Sequence, residues 1–188
     1  RRGEVLFNEG DSGDRLYILL TGKVKLGHTS VDGRENLLAV LGPGEVVGEL
    51  TLFDPGPRST TATAVATTEL LALEHNQLMG FIDSHPTLAK DMLRALAVRL
   101  RRTNIALADL VFSDVPGRVA KALLDLAERF GAPTEDGIHV PHDLTQEELA
   151  QLVGASRETI NKSLAEFVSR GWIRLEGRAV TLIDVERL

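Results

Sequence analysis

The segment from Leu144 to Arg178, LTQEELAQLVGASRETINKSLAEFVSRGWIRLEGR, constrains the fold more than any other part of the chain. Thr145 followed by Glu148 fits a capping box, in which each side chain satisfies an N-H group left over at a helix start, so a helix begins near Gln146. Leu149, Leu152 and Val153 lie on one side of it, and Gly154 supplies the left-handed residue that ends it. Ser156 then caps a second helix, in which Ile160, Leu164, Phe167 and Val168 recur at i, i+4, i+7 and i+8 and face a core. Arg157, Glu158, Asn161 and Lys162 face away. Gly171 closes this helix, and Trp172 to Leu175 and Arg178 to Ile183 read as strands joined across Glu176 and Gly177. Helix, tight turn, helix and hairpin together predict a winged helix-turn-helix.

A helix that turns Arg, Glu, Asn and Lys outward from a greasy underside carries the groups that read base edges in a major groove. Arg suits guanine O6 and N7, and Glu accepts from cytosine N4. The candidate DNA-contacting residues are therefore Ser156, Arg157, Glu158, Thr159, Asn161 and Lys162. The plainer reading of the same residues is a helical hairpin with a solvated charged face. Composition does not announce a nucleic-acid binder, since 21 Lys plus Arg stand against 27 Asp plus Glu, a formal net charge of -6. Any basic footprint must be local, and long-range repulsion from DNA favours control of binding by an effector.

Residues 1 to 80 have a different texture. Glycines punctuate short apolar runs such as Leu16 to Leu20, Val24 to Leu26, Leu37 to Leu41 and Leu70 to Leu73, and Asp32 with Gly33 signals a hairpin, a pattern that predicts a β-roll or jelly-roll barrel. Inside it lies GEVVGELTLFDPGPRST. Gly48, Glu49 and Leu50 can open a short helical turn whose N-H groups face an anion, and Arg58 and Ser59 return to the same place after a Pro-Gly-Pro bend. Backbone donors, a guanidinium and a hydroxyl suit a singly charged cyclic phosphate. Glu49 beside a phosphate needs a donor of its own, such as a ribose 2'-OH. On their own, the same residues equally describe a Gly-rich turn carrying a surface ion pair between Glu49 and Arg58.

Between the two regions a helix is expected from Pro86, which suits a first helical turn, to about Phe112. Leu93, Leu96, Leu100, Thr103, Leu107 and Leu110 recur at a/d heptad spacing, which predicts a parallel coiled coil between two copies of the chain. The alternative is a long helix packed along its own barrel. Ser113 to Gly117 form a hinge, with Asp114 capping a further helix over 116 to 130 whose Val119, Leu123, Leu126 and Phe130 share one side.

GASRETINKSLAEF followed by RGWI is similar to the DNA-reading segment of the Crp/Fnr family of bacterial transcription regulators, in particular the cyclic-AMP receptor proteins. GEL, a loop and then RS resembles the phosphate-binding cassette of cyclic-nucleotide-binding domains. The resemblance covers nearly the whole chain. It implies an α+β architecture: residues 1–84 a cyclic-nucleotide-binding β-roll, 85–113 a dimerisation helix, and 114–188 a winged helix-turn-helix DNA-binding domain. By position it implies that Arg157, Glu158 and Lys162 contact a TGTGA-type half-site. Gly48, Glu49, Leu50, Arg58 and Ser59 would hold cyclic AMP, with Thr103 and the Asn104 of the partner subunit contacting the adenine. Implied partners are double-stranded DNA, a second copy of the chain and RNA polymerase, the last through a region that includes the loop from Pro133 to Gly137. Two departures stand out. Gln146 replaces a phosphate-contacting Arg of the best-known members, and Thr-Asn replaces the Thr-Ser of an enteric member, which leaves the purine preference open.

Other function classes find little support. With no Cys, disulfides, thiolate catalysis and cysteine-ligated iron-sulfur clusters are excluded, and with them the oxygen-sensing branch of that family. No apolar run approaches membrane length and no signal peptide is recognisable, so a cytoplasmic protein without membrane association is expected. The chain opens at Arg1 directly in strand-like sequence, and a preceding segment is expected. His139 and His142 near Asp143 and Glu147 can be drawn as a metal site, although paired surface histidines are far commoner. Cupin enzymes share the β-roll shape and bind metal through clustered His and Glu, but this barrel has only His28 and His75. No catalytic constellation is present, and no metal or enzymic activity is expected. A Crp/Fnr relative with another effector, or with none, is the main alternative.

Overall fold

A computed structural model describes residues 1–188. They divide into two compact units, Arg1–Arg34 with Leu38–Leu107, and Glu35–Leu37 with Ala108–Leu188.

The first unit is built on β1 (Val5–Phe7), β2 (Arg15–Thr21), β3 (Val24–Thr29), β4 (Glu35–Leu41, from Leu38 onward), β5 (Val46–Val47), a short α1 (Leu50–Phe53), β6 (Thr61–Ala64) and β7 (Glu69–Glu74), followed by α2 (His75–Ser84) and α3 (Pro86–Phe112, as far as Leu107). One sheet has the order β1-β6-β3-β4 and the other β5-β2-β7. Strand β2 explains the arrangement. Its Leu19 joins Phe7, Val24, Leu26, Leu41, Val47 and Ala62 in the barrel interior, whereas Leu16 packs with Leu52 of α1 and Leu78 of α2. A strand buried on both faces reads as the continuous apolar run LYILL seen in the sequence. The Asp32-Gly33 turn forms as expected, with Gly33 at φ 79° between β3 and β4. Strand β1 forms in the strand-like opening of the chain, whereas β6 and helix α2 carry no clear periodic signal. In β6, TATA buries only Ala62 and Ala64, too little apolar bulk to mark a strand.

Helix α3 spans Pro86–Phe112, the bounds read from the sequence, and none of its 27 residues is buried. Leu88 and Met92 pack partly against the Leu16, Leu52 and Leu78 cluster. Beyond them the heptad leucines other than the half-buried Leu96 stay open, Leu100 and Leu107 each at 62% exposure.

The second unit contains α4 (Val115–Phe130), β8 (Ala132–Thr134), β9 (Gly137–Val140), α5 (Gln146–Val153), α6 (Arg157–Ser169), β10 (Ile173–Glu176) and β11 (Ala179–Leu182). Its sheet has the order β10-β11-β9-β8. The local signals form as their chemistry dictates. Asp114 caps α4 by accepting from the Gly117 amide at 2.9 Å, the Thr145 hydroxyl and Glu148 carboxylate close the capping box on α5, and Ser156 accepts from the Thr159 amide at 3.2 Å. Val119, Leu123, Leu126, Leu149, Val153, Ile160, Leu164 and Phe167 form the core with Ile173, Val180 and Leu182. Val168 does not join it and is 42% exposed. The last turn of α6 is instead anchored by Phe167, whose ring lies 5.8 Å from that of Trp172, so the neighbouring position points to solvent. The segment Pro133 to Gly137, a loop by sequence, joins the β8–β9 hairpin, which Pro133 inside a three-residue strand hides.

Candidate functional site

Gly48 makes the cassette possible. Its φ of 82° is a left-handed conformation, and a Cβ there would lie 2.6 Å from Nη1 of Arg58. The chain then enters α1 through Glu49, and the loop after α1 brings Arg58 back underneath. Arg58 is only 4% exposed. Its Nη1 donates to the Gly48 carbonyl at 2.6 Å and to Thr51 Oγ1 at 3.0 Å, its Nη2 donates to the Arg15 carbonyl at 2.6 Å, and its plane covers Phe7 at 4.3 Å. Burial lowers its pKa from the ordinary guanidinium value. The guanidinium is thus both a structural rivet for the cassette and a fixed positive charge at its floor.

Glu49 is 2% exposed and does not pair with Arg58, which corrects the surface ion pair considered from sequence. Its partner is Arg99 of α3, whose Nη1 donates to Glu49 Oε1 at 2.6 Å while Nη2 donates to the Val46 carbonyl. Arg99 was missed. In RLRRTN it looks like one more cation on a solvated face, and nothing local says that α3 will lie beside a turn 50 residues earlier. Thr103 and Asn104 follow one turn later and are exposed, with Thr103 Oγ1 donating to the Arg99 carbonyl at 3.1 Å.

The cassette residues and Arg99 line one cavity of about 290 Å³, including space open to solvent. Gly48, Glu49, Leu50, Arg58 and Ser59 all border it, joined by Phe7, Leu26 and Thr51. Two buried polar atoms at this site lack a hydrogen-bond partner, Glu49 Oε2 and Arg58 Nε. An unmet acceptor and an unmet cationic donor are costly in a protein interior unless something completes them. A ligand that donates a hydroxyl proton and presents an anion fits that pair.

On α6, Arg157, Glu158 and Lys162 are exposed together. Ser156 and Thr159 are engaged with each other, their hydroxyls 2.9 Å apart, so both serve the cap that orients the helix start. Asn161 is half-buried, and its Oδ1 is enclosed without a partner, a correction to its expected outward position. It stands three residues before Leu164 and therefore borders the apolar stripe. His142 is buried and its Nδ1 accepts from the Leu144 amide at 3.1 Å, while His139 lies 3.4 Å from Glu176. The two histidines thus do separate structural work, and no group of three or more metal-ligating side chains is gathered anywhere in the chain. No helix is long and apolar enough to cross a membrane.

Comparison with known proteins adds to this geometry. Residues 1–85 match a cyclic nucleotide-binding domain and residues 117–188 a Crp-like helix-turn-helix domain. The chain is 56% identical over 187 residues to the CRP-like cAMP-activated global transcriptional regulator of Mycobacterium tuberculosis, covering 100% of this chain and 84% of that one. It is 40% identical over 174 residues to the cyclic AMP receptor protein of Thermus thermophilus, covering 93% and 77%. Among solved structures, a CRP-family transcriptional regulator from Thermus thermophilus superposes with a TM-score of 0.83 at 29% identity, covering 99% and 91%. The c-di-GMP responsive regulator CLP of Xanthomonas campestris superposes with a TM-score of 0.78 at 28% identity, covering 96% and 90%. A cassette of cyclic-nucleotide-binding type, a capped helix-turn-helix with its wing, and identity of this order across nearly all of this chain agree, and the chain belongs to the Crp family of transcription regulators, not to a family of enzymes.

Proposed function

We propose that the protein is a cytoplasmic, cyclic-AMP-responsive regulator that binds a palindromic TGTGA-type DNA site as a homodimer and works with RNA polymerase. The division proposed is a sensor over 1–84, a dimerisation helix over 85–113 and a DNA-binding domain over 114–188. The observation that carries the effector assignment is the pair of unmet atoms, Glu49 Oε2 and Arg58 Nε. A ribose 2'-OH supplies the donor that Glu49 lacks, and a cyclic phosphate supplies the anion that Arg58, the Ser59 hydroxyl and the amides at the start of α1 favour. The relative named for c-di-GMP gives weight to testing other nucleotides beside cyclic AMP. Calorimetric titration is the test: cyclic AMP is expected to bind, and 2'-deoxy cyclic AMP to bind at least tenfold more weakly, since a lost hydrogen bond to a charged group is worth about 1.5 to 3 kcal/mol. Equal affinity for the two sugars would remove Glu49 from its role.

The exposed leucine seam of α3 supports the dimer. In that heptad Arg99 is a g position and Asn104 an e position, and parallel pairing sets a g residue beside the e residue five places on in the other chain. Arg99, which holds Glu49, then faces Asn104 of the partner subunit. Nucleotide, dimer seam and Thr103 meet at one place, and binding there can shift the DNA-binding domains only by its differential affinity for their two orientations. Replacing Thr103 and Asn104 by Ala is expected to keep the dimer and lose nucleotide-dependent DNA binding. Activation that survives in this variant would reject the coupling route.

On the DNA side, Arg157→Ala is expected to cost about 1 to 3 kcal/mol and relax preference at one base pair of each half-site, with half-sites about 10 base pairs apart between centres. Competition with single-base variants of the site measures this. Equal weakening on every sequence would make Arg157 a phosphate contact instead.

A further inference from the structure

We infer that Arg118 is the positioning residue that fastens the turn between α5 and α6, and so the start of the recognition helix, to the end of α3. The inference rests on the reading above, in which the nucleotide acts through α3, and it names the side chain that passes the movement on.

Arg118 lies in the first turns of α4 and is half-buried. Its guanidinium reaches three backbone carbonyls from two separate segments: Nε donates to Val153 at 2.8 Å, Nη2 to Gly154 at 3.2 Å, and Nη1 to Ser113 at 2.8 Å. Val153 ends α5 and Gly154 is its left-handed C-cap, so their carbonyls belong to the group that a helix C-terminus leaves unpaired and that a cation best completes. Ser113 is the first residue past α3. One planar fork thus links the α3 junction to the turn that sets where Ser156 begins α6.

Two independent contacts make the link stiff. Lys121 Nζ bonds Asp109 Oδ1, and the Ser113 hydroxyl donates to the same carboxylate oxygen at 3.1 Å, tying the last turn of α3 to α4. That ammonium holds the Asp109 carboxyl below the ordinary carboxylate range, so the tie persists through neutral pH. Leu110 then seats directly on the turn: a Cβ at Gly154, φ 64°, would lie 2.8 Å from Leu110 Cδ2. Leu110 is also the last d residue of the proposed seam. A rotation of α3 that closes the seam at Leu110 therefore pushes on Gly154, and Arg118 keeps the turn from slipping away from the push.

The test uses the full chain and its Arg118→Met variant, which keeps the stem and removes the fork. Cyclic AMP affinity is read by calorimetry, DNA affinity with and without cyclic AMP by fluorescence anisotropy, and mobility of residues 154–157 by amide hydrogen exchange. Arg118→Met is expected to leave cyclic AMP affinity unchanged, to reduce the nucleotide-induced gain in DNA affinity about tenfold, and to speed exchange at 154–157. Arg118→Lys is not expected to restore the gain, because one ammonium cannot span the three carbonyls. DNA binding weakened equally with and without nucleotide would make Arg118 merely structural and overturn the inference. Should Arg118→Met fail to fold, Arg118→Lys takes its place, and an undiminished gain in that variant overturns the inference. A wild-type protein whose DNA binding ignores cyclic AMP rejects the effector assignment instead; exchange at 154–157 then decides, and rates unchanged by Arg118→Met reject the fastening.

Discussion

Replacing Leu100 and Leu107 together by Asp is expected to leave each chain folded and to abolish the dimer. Neither side chain is buried within its own chain, so the substitution removes nothing from the barrel or its neighbours. Pairing across a seam would bury the remaining 62% of both leucines in each copy, about 1 to 2 kcal/mol apiece, or roughly 4 to 7 kcal/mol for the four. Opposed aspartates add repulsion to that loss. Site affinity should fall with the dimer, because two linked DNA-binding domains bind a palindrome roughly 10² to 10⁴ times better than one. Sedimentation across a concentration series is the check, with circular dichroism to establish folding. A variant that still sediments as a dimer would place the interface elsewhere and leave the exposed seam unexplained.

Arg58→Met is the second large effect, and it acts on both stability and binding. The variant removes the 2.6 Å donors of the Gly48 and Arg15 carbonyls, leaving Gly48 with only the long 3.4 Å bond from Thr51 Oγ1, and an unmet enclosed carbonyl costs about 1 to 3 kcal/mol. Thermal unfolding is therefore expected to shift down by several degrees. Nucleotide affinity should fall roughly 100-fold or more, the loss of a charge-assisted partner worth about 3 kcal/mol. Arg58→Lys should repair little, since a single ammonium cannot reach Gly48, Thr51 and Arg15 from one point. Calorimetric titration at a temperature where the variant remains folded separates the two consequences. Undiminished nucleotide affinity would confine Arg58 to structure.

These two sites differ in how far sequence alone could take them. Caps, turn glycines and heptads act over a few residues, so the hinge, α3, α5, α6 and the wing were readable nearly to their ends. The cassette was readable as a motif but not as a geometry. Arg58 turns inward because β2 offers it the Arg15 carbonyl, a partner 43 residues away, and Glu49 pairs with Arg99 because α3 lies beside it. Long-range placement of that kind leaves no mark in local spacing. Asn161 and Val168 failed for the opposite reason: helical periodicity places a residue on a face but does not say where the face ends, and both stand at a border decided by Leu164 and by the Phe167–Trp172 contact. The Ser113 junction shows the same limit, since SDVPGR announces a helix start but not the carbonyls that Arg118 will reach 35 and 36 residues on.

A nucleotide in the cassette is expected to control DNA binding by the other unit. Fluorescence anisotropy of a labelled TGTGA(N6)TCACA duplex, titrated with the protein at fixed salt with and without cyclic AMP, tests it most directly. Specific binding is expected, and it tightens strongly when cyclic AMP is added. Binding of the same strength in both conditions would contradict it, leaving a DNA-binding protein whose effector is not cyclic AMP.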